Sequence, residues 1–134
     1  MPARFTGTIR DMVQQLPKES KPMRDLRKIA LQYPETDAGA SCNKVAYKAR
    51  GKSFLFVGAD GDAWNAMFKL GDSIDELRKL AKKAPDRYNV GKTNWVTLVF
   101  PHKEAPSVAD LERWIDESFR LIAPKKLVAE LDAT

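Results

Sequence analysis

Lys44-Val45-Ala46-Tyr47-Lys48-Ala49-Arg50-Gly51-Lys52-Ser53-Phe54-Leu55-Phe56-Val57 is the stretch on which the fold turns. Polar and apolar residues alternate from Lys44 to Lys48, Arg50-Gly51 supplies turn chemistry, and Ser53 to Val57 returns as an apolar run. That pattern predicts a β-hairpin. Gly58-Ala59-Asp60-Gly61-Asp62 reads as the next turn. Trp64, Ala66, Phe68 and Leu70 then alternate with Asn65, Met67 and Lys69, a third strand with one buried and one mostly polar face. Lys44, Lys48, Asn65 and Lys69 share the non-core parity and are expected on one open face.

Outward from this sheet the period changes from two to that of a helix. Met23, Leu26, Ile29, Ala30 and Tyr33 predict a helix from Met23 to Tyr33, ended by Pro34. Glu35 to Asn43 reads as loop. Asp72 or Ser73 is expected to cap a helix reaching Lys83. Residues 84–93 read as loop, and Asn94 to Phe100 as a fourth strand. Ser107 and Asp110 make a variant capping box that opens the longest helix, with Leu111, Ile115, Phe119 and Ile122 as its apolar stripe. Pro124 to Leu131 closes the chain as a last helical segment. At the other end, Ile9, Met12, Val13 and Leu16 predict a short amphipathic helix over residues 8–16, followed by a polar linker, Pro17 to Pro22. The expected organisation is an N-terminal extension, 1–22, and one domain, 23–134. Consecutive hairpins with flanking helices imply an α+β two-layer sandwich: an antiparallel sheet of at least four strands with helices on one face.

The chain has 134 residues, 43% hydrophobic and 31% charged, which suits one globular domain. Its single cysteine, Cys42, excludes an intramolecular disulfide, and with one histidine, His102, it excludes the common Cys/His zinc sites. No apolar run is long enough to span a bilayer, and the first residues lack the pattern of a signal peptide. A cytoplasmic protein with no membrane contact is expected.

Gly51-Lys52-Ser53 and Gly91-Lys92-Thr93 are not phosphate loops, because Ala46 and Asp86 stand where the first glycine is needed. Asp60-Gly61-Asp62 lacks the further oxygen ligands of a calcium loop and reads as a solvated turn. Cys42 and His102 have no catalytic context, and the acids of the last long helix pair with Arg113 and Arg120 at helical spacing. No catalytic residue, cofactor or metal site is therefore assigned. Trp64, Trp114, Phe54, Phe56 and Phe68 read as core. Trp95 is the exception, since Gly91-Lys92-Thr93-Asn94 delivers it from a basic, polar loop.

The net charge of +5 is uneven. Residues 1–34 carry most of the surplus, and from Lys44 to Gly58 there are four cations and no acid. Such a balance is compatible with a polyanionic partner.

From Met23 to Leu131 the order of features resembles the MmcQ/YjbR family. The carrying residues are Ala30-Leu31-Gln32-Tyr33-Pro34-Glu35, the hairpin Val45 to Phe54, Phe68-Lys69, Asn94-Trp95-Val96 and Ser118-Phe119-Arg120-Leu121-Ile122-Ala123-Pro124-Lys125-Lys126-Leu127. The chain departs from the family pattern at Cys42-Asn43, where tryptophan or histidine beside glycine is common, and at Phe119, where tyrosine is usual. The N-terminal extension is additional. The resemblance implies a frataxin-like (CyaY-like) sandwich and DNA binding through a winged surface. The basic first helix argues against frataxin-like iron handling. On this footing the expectation is a non-enzymatic, weakly sequence-selective DNA-binding protein. Lys44, Lys48, Arg50, Lys52 and Lys69 would contact phosphates, with Lys92 and Asn94 near Trp95 completing the patch. The rival is an adaptor that docks an acidic protein partner through the open sheet face or the N-terminal helix. An enzyme or small-ligand binder with a pocket between sheet and helices is the third class.

Overall fold

In the computed structural model, which describes residues 19–133, the chain runs α1 (Lys21–Leu31), β1 (Thr36–Ser41), β2 (Lys44–Ala49), β3 (Lys52–Asp60), β4 (Ala63–Lys69), α2 (Ile74–Lys83), β5 (Tyr88–Val90), β6 (Trp95–Pro101), α3 (Val108–Ile122) and α4 (Lys125–Asp132). The six strands form one sheet in the order β1-β2-β3-β4-β6-β5, antiparallel at every pairing. Helices cover one face, giving the expected α+β two-layer sandwich. The predicted helix over residues 8–16 lies outside the described residues.

The β2–β3 hairpin turns on Arg50 and Gly51, both at positive φ (48° and 82°), the conformation that matches the strand twist in a two-residue turn. Two strands appear where loop was expected. β1 lies within the Glu35–Asn43 span and β5 within 84–93. Neither carries a run of large alternating apolar residues: β1 reads Thr-Asp-Ala-Gly-Ala-Ser and β5 has three residues. Both are edge strands, held by the ladder of their neighbour rather than by their own periodicity. β3 also continues through Gly58 and Ala59 to Asp60, so the following turn is shorter than predicted. α1 starts inside the expected linker, with Pro22 in its first turn, where its fixed φ suits a helix start.

The core lies between the sheet and the helices. Trp64, Trp114, Phe54, Phe68 and Phe119 are fully buried there. Phe68 stacks on Trp114 at 5.9 Å, and Phe54 meets Phe119 edge-on at 5.2 Å. Tyr33, just past the end of α1, stacks on Phe119 at 4.5 Å and donates its hydroxyl to Asp116 at 2.9 Å.

One irregularity sets the geometry of the open face. The β2–β3 register shifts between Tyr47 and Lys48, so that Tyr47 stands opposite Leu55 and Lys48 opposite Ser53. Phe54 is the extra residue of this bulge, and both Phe54 and Leu55 are buried, which strict alternation would forbid. The β3–β4 pairing stops at Phe56 and Met67. Beyond it Ser118 of α3 takes over: its hydroxyl donates to the Phe54 carbonyl at 2.7 Å and accepts from the Lys69 amide at 3.0 Å.

The caps follow the same division between local and distant partners. Ser107 accepts from the Asp110 amide at 3.1 Å, as the capping-box spacing predicts. Ser73 occupies the N-cap of α2 but its side chain does not cap it. Glu117 of α3 holds the turn that leads into α2, accepting from the amides of Gly71 (2.7 Å) and Ser73 (3.1 Å) and from the Ser73 hydroxyl (2.9 Å).

Candidate nucleic-acid interface

Register decides which residues share the face opposite the helices. Ser41, Lys44, Gly58, Asn65 and Val99 form one row across the sheet, and Gly39, Ala46, Phe56, Met67 and Thr97 form the next. Lys48 lies opposite Asp37 and Ser53, and Lys69 opposite Trp95. The four residues expected there from parity, Lys44, Lys48, Asn65 and Lys69, are all on it.

Phe56 and Trp95 meet on it, where β6 begins, with ring centroids 6.0 Å apart and planes inclined at 56°. Both are half-buried. Trp95 thus lies outside the core. Phe56 does too, against its reading as core; the bulge at Phe54 had hidden its parity. Counted back from Val57 and Ala59, whose side chains are buried, Phe56 points outward. That C-terminal count was the signal available in the sequence.

The lysines lie low over glycines. A Cβ at Gly58 would come within 2.9 Å of Lys44 Cγ and 3.2 Å of Asn65 Oδ1, and one at Gly39 would touch Lys48 Cε at 3.6 Å. Without those side chains, the Lys44 and Lys48 stems cross the sheet and keep their ammoniums on the face. Lys44 Nζ rests 3.8 Å from Met67 Sδ, a weak acceptor. Among the described residues, none of Lys44, Lys48 and Lys69 forms an ion pair. Asp37 is the carboxylate opposite Lys48, and Asp60 closes the far end of β3.

The remaining predicted residues are placed differently. Arg50 is held by Glu35 in a two-pronged bond, 2.9 and 2.7 Å, so its charge is engaged at the hairpin turn. The same hydrogen bond holds the Glu35 carboxyl below its ordinary value. Lys52 is exposed beside it, opposite Ala49 and off the open face. Lys92 is exposed in the β5–β6 turn, three residues before Trp95. Asn94 is a turn residue at φ 63°, a conformation asparagine tolerates. Its carbonyl accepts from the Leu70 amide at 3.1 Å and its amide donates to Gly91 at 3.2 Å. The structure therefore brings Lys44, Lys48, Lys69 and Trp95 onto one face, with Lys92 at its end, and leaves Arg50 and Lys52 at the hairpin turn.

The YjbR family model matches residues 31–121, from the end of α1 through α3. The chain belongs to the YjbR family. No curated protein and no solved structure matches it. The span shared with the YjbR family includes every open-face residue described above and Ser118 beneath them.

A cleft of about 300 Å³ between the helices is lined by Ile29, Tyr33, Asp116 and Arg120 among others. Three of its polar side chains are tied together, Tyr33 to Asp116 and Arg120 to Asp116 (2.7 Å), with Arg120 also on Asp132 (2.8 Å), while Gln32 and Glu112 line it as well. Burial and the Asp116 hydrogen bond push the Tyr33 hydroxyl well above its ordinary value, so it stays protonated. Among the described residues no group of three or more His, Cys, Asp or Glu is placed to hold a metal ion, and no helix is long and apolar enough to cross a membrane.

Proposed function

We propose that this YjbR-family protein is a non-enzymatic, weakly sequence-selective DNA-binding protein of the cytoplasm, with the open sheet face as its contact surface. The observation that carries the reading is the set of lysines without acid partners, Lys44, Lys48 and Lys69, around the Phe56–Trp95 pair. Ammoniums without carboxylate partners gain most from phosphate oxygens, and such contacts position a protein without reading sequence. Base-edge readout usually calls on arginine. Here six of the seven arginines among the described residues are in ion pairs with acids, and Arg24 binds the Glu19 carbonyl. Weak selectivity follows from that division of labour. In the cleft between the helices Tyr33, Asp116 and Arg120 are engaged with one another, which supports the non-enzymatic half of the proposal.

A fluorescence-anisotropy titration with labelled DNA tests it. Four phosphate contacts, from Lys44, Lys48, Lys69 and Lys92, give a slope of log affinity on log salt of roughly −3.6 for duplex. Affinity should then fall about a hundred-fold between about 50 and 200 mM salt. Absence of binding at about 100 μM protein and the lower salt, weaker than ordinary non-specific association, contradicts the proposal.

A further inference from the structure

Resting on the DNA-binding reading, we infer that the open face takes single-stranded DNA in preference to duplex, with bases stacked on Trp95 and Phe56 and phosphates on the flanking lysines. Six strands spaced about 4.8 Å apart make a face about 24 Å wide, twice the roughly 12 Å of a B-DNA major groove. The aromatic pair sits on β3 and β6, interior strands of the sheet, at the end of the face where β6 begins. A groove cannot admit the sheet, and the bases of a duplex offer it no free ring face. An unstacked strand offers both ring faces and phosphates.

The ground around the rings suits such a strand. Ala46 stands directly beside Phe56 on β2 and Gly39 beyond it, so the surface next to the ring is low. Lys44 and Lys48 reach across from either side of that low ground. Lys69, opposite Trp95, supplies a cation on the other side. A positively charged track with aromatic platforms is the arrangement that binds single strands without sequence preference, each stacked base contributing through a ring face that every base possesses.

Tryptophan fluorescence reads the proposed contact in the unaltered protein. Trp64 and Trp114 are 0% and 1% exposed, so a ligand that touches the open face reports through Trp95. The full chain is titrated with a single-stranded oligothymidine of about 15 nucleotides and with a duplex of equal length, followed by anisotropy and by tryptophan emission. The expected result is affinity at least about tenfold higher for the single strand, with quenched emission. Trp95→Ala should weaken oligothymidine binding about tenfold or more, and far more than it weakens duplex binding, while Trp95→Phe restores most of it. Equal or tighter duplex binding with unchanged emission overturns the single-strand inference and leaves the DNA-binding reading standing. No binding to either nucleic acid overturns both. The emission measurement needs no variant, so a Trp95→Ala protein that failed to fold would not blunt the test.

Discussion

Ser118 Oγ stands where the β3–β4 ladder would have its next hydrogen bonds, joining the Phe54 carbonyl to the Lys69 amide with no solvent exposure. Truncating it leaves a buried acceptor and a buried donor without partners. Ser118→Ala should therefore lower unfolding free energy by about 1–3 kcal/mol in urea titrations; an unchanged midpoint would mean that the two groups find other partners. Gly58 is a second single-atom control, because the space a Cβ would need is filled by the Lys44 stem. Gly58→Ala should move Lys44 off the face, removing one phosphate contact. The salt dependence of DNA binding should then become shallower by about one unit of slope. A thermal melt should show the variant folded. An unaltered slope would take Lys44 out of the contact surface.

Between elements, the joints are made largely by arginines. Arg50 ties the β2–β3 turn to Glu35 ahead of β1, Arg113 ties α3 to Glu76 of α2, and Arg120 ties α3 to Asp132 of α4. Hydrogen bonds from these arginines hold the Glu35, Glu76 and Asp132 carboxyls below their ordinary values. A carboxylate with a lowered folded pKa contributes stability above its unfolded value and loses it as pH falls through the folded one. Thermal stability should therefore hold from neutral pH down to the ordinary carboxylate range near about 4 and decline below it. Glu76→Gln should reduce that decline, which calorimetry at stepped pH can check; an identical acid limb would take the Arg113–Glu76 joint out of the account. Tyr47 sets the opposite limb: burial pushes its hydroxyl up to about 12. Its contribution is complete below the unfolded value of about 10 and is lost as pH rises through the folded one.

The same scale shows what the sequence made legible. Hairpin β2–β3, strand β4, strand β6 and the long helix α3 each carry a strong local signal, and each lies where its period placed it. β1 and β5 do not, because an edge strand of small or few residues owes its shape to the neighbouring ladder. Lys44, Lys48 and Lys69 could be assigned to one face from parity alone. Phe56 could not be read forward from the hairpin, since the bulge at Phe54 breaks the count. Arg50 looked free for the opposite reason: its partner Glu35 lies fifteen residues away, at a distance no helical or strand period marks. Glu117 is similar, holding the turn ahead of α2 from 44 residues away.

At the scale of the whole molecule, the charges are sorted by residue type. Arginines and acids are joined to one another among the helices and turns, while the lysines of the open sheet face stand beside aromatic rings without acid partners. The helical side also carries lysines, Lys79, Lys82 and Lys83 along α2, exposed and outside any ion pair among the described residues. A basic patch alone would not distinguish the two faces; the Phe56–Trp95 pair on the sheet does, against the single Tyr88 and the acids Glu76 and Asp110 beside Lys79 and Lys83. The most direct measurement is DNA affinity at about 50 mM salt for two charge-reversed proteins of equal formal charge. One is Lys48→Glu with Lys69→Glu on the sheet, and the other Lys79→Glu with Lys83→Glu on α2. Binding should be almost completely lost in the first and slightly and generally weakened in the second. Loss confined to the α2 variant, or equal loss in both, would contradict the open sheet face as the contact surface.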